Sequence, residues 1–94
     1  KAFIFYIPNA FTPNKDMIND IFIPYIDGIA EYDFYIYSRQ GQEIFHTTDV
    51  NEGWDGYVAN GDNYAISGKY TYAIYIIDLH AKESNYQGNF LLIR

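Results

Sequence analysis

The chain contains no cysteine. That excludes disulfide frameworks, thiolate catalysis and cysteine-based zinc sites together, while leaving the cellular compartment open. Cations are few: six Lys and Arg stand against twelve Asp and Glu, a formal charge of −6. An acidic surface repels phosphate backbones and anionic headgroups, which argues against nucleic-acid binding and against generic attachment to acidic membranes. No apolar run approaches the roughly 20 residues that a membrane-spanning helix needs, so direct membrane insertion is not expected. Good helix formers are also scarce, with a single Met, and no segment holds a helical period over three turns. There is no internal repeat and no linker.

What the chain does have is aromatic mass. Eleven Tyr, seven Phe and one Trp make 20 % of its 94 residues, and 49 % are hydrophobic. Disorder is excluded, because disordered segments are poor in both. The length fits a single domain spanning residues 1–94. Such a small domain removes only about 60–65 % of its unfolded surface from water, so it depends on large side chains for a core. The chain opens on a strand-like run with no charged region or cleavage site before it. If the domain is exported, its export signal is expected on a larger parent.

Aromatic and β-branched residues favour pleated surfaces, and the pattern along the chain is one of strands. Residues 3–7 read as a first strand that stops at Pro8. Residues 21–26 read as a second, and Pro24 within it marks an edge or a break. Residues 31–39 place Tyr32, Phe34 and Ile36 on one face and Tyr35 and Tyr37 on the other. Gln40-Gly41 turns the chain, and residues 43–46 return to complete a hairpin. Residues 69–79 form the strongest strand, with Tyr70, Tyr72, Ile74 and Ile76 on one face. Residues 83–93 form the last, in which Gly88 marks a bulge or a close approach. Short strands divided by Gly, Pro and Asn turns give an all-β fold. The expected architecture is an antiparallel two-sheet β-sandwich of immunoglobulin-like type with about seven strands.

Four places carry chemistry of interest. The loop around Asn14, Asp16, Asn19 and Asp20 is rich in side-chain oxygens. Asn14, Asp16 and Asp20 have a stagger that suits calcium, although Lys15 and Met17 stand where a calcium loop wants glycine. The alternative is an Asx-rich connection bonding its own backbone. In Gly53-Trp54-Asp55-Gly56 the indole reads either as a plug for the sandwich or as an exposed ring for stacking on a sugar. Asp55 is expected to bond amides of its own loop. His46 and His80 stand singly at strand ends, and no serine has the setting of a nucleophile. The residues describe a binding or structural module without a cofactor, and not an enzyme.

Taken in order, the motifs resemble a known family. Tyr6-Ile7-Pro8-Asn9-Ala10-Phe11-Thr12-Pro13-Asn14, then Asp16 and Asn19-Asp20, is similar to the opening I-P-N-A-F-T-P-N-G-D-G-x-N-D of the gliding-motility-associated C-terminal domain. That domain is the type B sorting domain of the type IX secretion system. Tyr35-Ile36-Tyr37-Ser38-Arg39 with Gly41-Gln42 and Ile44-Phe45 resembles its I-F-N-R-W-G-x-x-I-F, with Gln40 in place of the Trp. Gly53-Trp54-Asp55-Gly56 matches G-W-D-G, and Ser67-Gly68-Lys69-Tyr70-Thr71-Tyr72 resembles P-x-G-x-Y-x-Y. Gly88 to Arg94 resembles its closing strand.

The resemblance covers almost the whole chain. It implies a signal at the C-terminus of a larger protein of the Bacteroidota, which reaches the periplasm by an ordinary signal peptide. The type IX machinery, an outer-membrane translocon with a shuttle protein, then carries it to the cell surface or releases it. A monomer is expected. The recognition residues so implied are Asn9, Phe11, Pro13, Asp16, Asn19, Asp20, Tyr35, Tyr37, Arg39, Trp54 and Arg94. Tyr75 is a further exposed aromatic suited to contact. The competing readings are a glycan-binding or adhesive sandwich, stacking Trp54 and the tyrosines on sugars, and a structural immunoglobulin-like spacer.

Overall fold

Alternation of large apolar side chains with polar ones decides the architecture. A computed structural model describes residues 5–7, 10–12, 21–58 and 65–93. Seven strands run through them: β1 (Phe5–Tyr6), β2 (Ala10–Phe11), β3 (Tyr25–Ile26), β4 (Ile29–Tyr37), β5 (Glu43–Thr47), β6 (Gly68–Asp78) and β7 (Glu83–Leu92). There is no α-helix among the described residues. Five strands form one sheet in the order β2-β7-β6-β4-β5, and β1 pairs with β3 in a second, two-stranded sheet.

The three longest strands are the frame. β6 and β7 pair antiparallel from Gly68↔Leu92 to Ile77↔Glu83 without a slip. Gly88 therefore causes no bulge. It faces Tyr72 instead, whose ring lies so close that a Cβ at Gly88 would sit 2.5 Å from the phenolic oxygen. The missing side chain lets the ring lie across the strand. β4 pairs antiparallel with β6 on one side and with β5 on the other. Between β4 and β5 the register passes from Ile36↔Phe45 to Tyr37↔Glu43, a bulge that turns both Ile44 and Phe45 inward.

Period-two alternation then fills the core. Tyr32, Phe34 and Ile36 of β4, Tyr70, Ile74 and Ile76 of β6, and Phe90 and Leu92 of β7 are buried together. Each contributes about 1.5–3 kcal/mol from the apolar surface it removes from water. Phe11, Phe22, Trp54 and Ala65 join the same buried cluster. Phe22 stacks on Phe90 with centroids 3.8 Å apart. Trp54 presents its ring edge-on to Tyr70 and Phe90 at 5.4 and 6.0 Å. It is wholly buried, with its indole N–H donated to the Tyr57 carbonyl at 2.7 Å. The plug is the role it fills, and no ring surface is left for a sugar.

Two expectations change. The five-stranded sheet is mixed and not wholly antiparallel: β2 runs parallel to β7, with Ala10↔Leu91 and Phe11↔Leu92. The Ile93 amide donates to the Phe11 carbonyl at 2.9 Å. Hairpins force antiparallel neighbours, but these two segments are joined by nearly the whole chain, so no tight turn dictates direction. The strand expected over residues 21–26 is broken at Pro24. Phe22 makes a single antiparallel bridge to Trp54, and β3 begins only at Tyr25.

Candidate functional site

The face of the five-stranded sheet turned away from the core has its own order. Residues of opposite parity to the core point there: Asp33, Tyr35 and Tyr37 from β4, His46 from β5, and Thr71, Ala73 and Tyr75 from β6. Asn85, Gln87 and Asn89 follow on β7. Register sets them in rows. His46, Tyr35, Ala73 and Gln87 cross the sheet in one row, and Asp33, Tyr75 and Asn85 form the next. Tyr37, Thr71 and Asn89 form a third.

Tyr35 is the centre of an aromatic cluster. The His46 ring stacks on it at 4.2 Å with planes 14° apart. Tyr37 lies nearly parallel to it at 6.0 Å, and Tyr75 meets it edge-on at 5.9 Å. Beside it Ala73 is 5 % exposed, although it belongs to the outer face and not to the main core. A methyl group there leaves room for the rings to close over the sheet. His46 Nε2 lies 3.0 Å from Asp33 Oδ1, which orients the imidazole. Both partners are well exposed, so the pair adds little stability.

Burial and neighbouring charge disfavour ionisation of two of these phenols, Tyr35 and Tyr37. Partial burial raises the Tyr35 hydroxyl above its ordinary value, and the charges of Asp33 and Glu43 and the neighbouring Tyr75 raise it further. Burial does the same to Tyr37, helped by Tyr75, Glu43 and Tyr35. The face is a set of hydroxyl groups and rigid rings beside the carboxylates of Asp33 and Glu43. Tyr75 is the best exposed of the three tyrosines, at 43 %. Such surfaces suit protein recognition, since Tyr supplies large contact area at small entropic loss. No group of three or more His, Asp or Glu is placed to hold a metal among the described residues.

The residues expected at the site divide three ways. Tyr35 and Tyr37 stand together on the outer face, and Arg39 is exposed in the turn that follows β4. Phe11 and Trp54 are buried and offer no surface to a partner. Asn9, Pro13, Asn14, Asp16, Asn19, Asp20 and Arg94 lie outside the described residues, and with them the loop weighed as a calcium candidate. Asp55 accepts the Tyr57 amide at 2.9 Å, as expected of a loop residue. Asp33 and Ala73 were not picked out from the sequence and His46 was read only as a lone strand-end histidine, because only the cross-strand register brings them to Tyr35.

An all-β domain that gathers aromatic rings on an open sheet face, with no catalytic grouping among its described residues, has the makings of a recognition module. Comparison with known families gives that class a definite form: residues 5–93 match the CHU_C type IX secretion signal domain. The chain belongs to this family. It is a sorting signal, and the type IX secretion machinery recognises it for export to the cell surface or the medium. The family is one of secretion signals and not of catalysts. Among curated proteins no match to the chain is found.

Proposed function

We propose that the aromatic outer face of the five-stranded sheet is the surface that the type IX machinery grips. The observation that carries this is the exposed cluster of Tyr35, Tyr37, His46 and Tyr75 on a domain of a secretion-signal family. The rings are fixed by one another before any partner arrives, so little freedom is lost on docking. Residues 1–94 act as one C-terminal domain of a larger secreted parent from a gliding bacterium of the Bacteroidota. The parent passes through the periplasm, and the outer-membrane translocon and its shuttle protein read the folded domain as a monomer. We read the two sheets as the two leaves of an immunoglobulin-like sandwich. Asn9, Pro13, Asp16, Asn19, Asp20 and Arg94 complete the recognition surface in this reading. The glycan-binding alternative is weakened, since Trp54, its best ring, is buried.

The test is export of a periplasm-directed fluorescent reporter fused to this domain, in a host with and without a working type IX system. Export is expected only with the system. Replacing Tyr37 and Tyr75 together by Ser should cut export severalfold while leaving the melting temperature within a few degrees, because both lie outside the core. Unchanged export in that variant would move recognition to another face.

A further inference from the structure

A concave feature lies beyond the end of the aromatic face. The turn after β4, the end of β5 nearest it, and residues 65–70 enclose a cavity of about 230 Å³. Its floor is apolar: Ile44 and Tyr70 are buried, and the Tyr70 hydroxyl donates to the Ile66 carbonyl at 2.7 Å, which fixes the rim. The rim is apolar too, and exposed. Ile66 is 76 % open to water and Val58 is 38 % open. Large side chains so exposed around a hollow mark a contact site.

The charge at the mouth is opposite to that of the molecule. The described residues hold three Lys or Arg, namely Arg39, Lys69 and Lys82, and two of them, Arg39 and Lys69, line this cavity. Neither makes an ion pair with a described carboxylate, although the chain carries a net −6. Two cations over an apolar floor complement an apolar group with an anion beside it. Small-molecule sites usually run to about 300–1,000 Å³, so this one is sized for a single anchoring side chain.

We propose that this cavity is a docking pocket for one apolar residue flanked by a carboxylate on the partner protein that carries the domain through secretion. The apolar side chain enters over Ile44 and Tyr70, and the carboxylate is held between Arg39 and Lys69. The identity of the partner rests on the sorting function, whereas the pocket's chemistry does not. The pocket adjoins the aromatic face through Tyr37, two residues before Arg39, and through Lys69, one cross-strand row beyond Thr71. A single partner therefore reaches both.

Two measurements separate these parts. The first is an NMR titration of the ¹⁵N-labelled domain with the peptide acetyl-Gly-Leu-Asp-Gly-amide, and with its Leu-Asn counterpart. Saturable shifts are expected at Ser38, Arg39, Ile66 and Lys69, and the acidic peptide should bind about three- to tenfold tighter, weakening with salt. The double variant R39Q/K69Q, altered only at exposed positions, should keep its fold and lose that preference. No saturable shift, or equal binding of the two peptides, overturns the pocket. The second measurement is export of the reporter fusion bearing R39Q/K69Q. A severalfold drop supports the partner assignment. Undiminished export of this variant overturns it, while failure of the unaltered fusion to be exported would count against the sorting reading and leave the titration to decide the pocket.

Discussion

Replacing Gly53 by Ala should be among the most damaging single-methyl changes available to this domain. An added Cβ would meet the Ile21 side chain, and would sit 2.8 Å from both Ile23 Cβ and the Phe22 carbonyl oxygen. Two of these are backbone or branch-point atoms that no rotamer change can move. Relief requires the 21–23 segment to retreat, yet that segment is tied to Trp54 by two hydrogen bonds. Phe22 N–H donates to the Trp54 carbonyl at 2.8 Å, and Trp54 N–H donates to the Phe22 carbonyl at 2.9 Å. Overpacking costs about 1–3 kcal/mol, and a buried backbone group left unpaired costs about 1–3 kcal/mol more. The expected loss is about 3–5 kcal/mol, a large share of the roughly 5–14 kcal/mol that holds a domain of this size. At about 4–8 °C per kcal/mol the melting temperature should fall by about 12 °C or more. Trp54 is the only tryptophan, so its fluorescence reports the transition during thermal and urea unfolding. Gly41→Ala is the control. It has φ +87° with open space around its missing Cβ, and should lose only the ~1–2 kcal/mol of a left-handed backbone. A Gly53→Ala domain that melts at or above the temperature of Gly41→Ala would refute the steric argument.

Two further outcomes follow from single side chains. The Tyr32 hydroxyl is buried without a hydrogen-bond partner among the described residues, so Tyr32→Phe should stabilise the domain by about 1 kcal/mol at neutral pH in urea melts. Burial, and then the charge of Asp49, push that phenol far above its unfolded value of 10.0. Stability tied to the neutral phenol is therefore complete below about pH 10 and drains away as pH rises beyond it, so wild type should lose stability more steeply than Tyr32→Phe on the alkaline side; parallel curves would contradict this. Ala81 holds φ 65° in the β6–β7 turn, where the His80 and Lys82 amides bond the Asp78 carboxylate at 2.8 and 3.0 Å. Ala81→Gly should raise stability by about 0.5–1 kcal/mol, measurable as a higher melting temperature, and a lower one would show that the turn carries no strain.

The all-β character, the hairpin of β4 and β5, and the long β6–β7 pair were legible because each strand carries its alternation openly. Tyr32, Phe34 and Ile36 are spaced by two, and so are Tyr70, Tyr72, Ile74 and Ile76. The parallel pairing of β2 with β7 was not legible. Direction between distant segments depends on the path of the chain, and two residues, Ala10 and Phe11, are too few to show a pattern. The bulge at Ile44 and Phe45 was hidden for a similar reason, since a consecutive apolar pair fits an ordinary strand end as well. At the site, Tyr35 and Tyr37 were visible from parity and from family motifs. Their fixing by His46 and Tyr75 required the register, which places residues from three strands side by side. The cavity beside Arg39 had no sequence signal, because its walls come from β5, the turn before it and the approach to β6.

The position of β7 inside the sheet, between β2 and β6, has a consequence for timing. It is the latest of the seven strands to leave the ribosome, yet it joins the earliest member of its sheet to the rest. The outer face cannot be complete until it arrives. Everything encoded before it has by then been synthesised, so a chain broken off early carries no finished badge. In a parent that carries this domain at its C-terminus, as proposed above, a receptor that reads the assembled sheet would reject truncated cargo without inspecting the cargo itself, and the fold would serve as a checkpoint on the integrity of what precedes it.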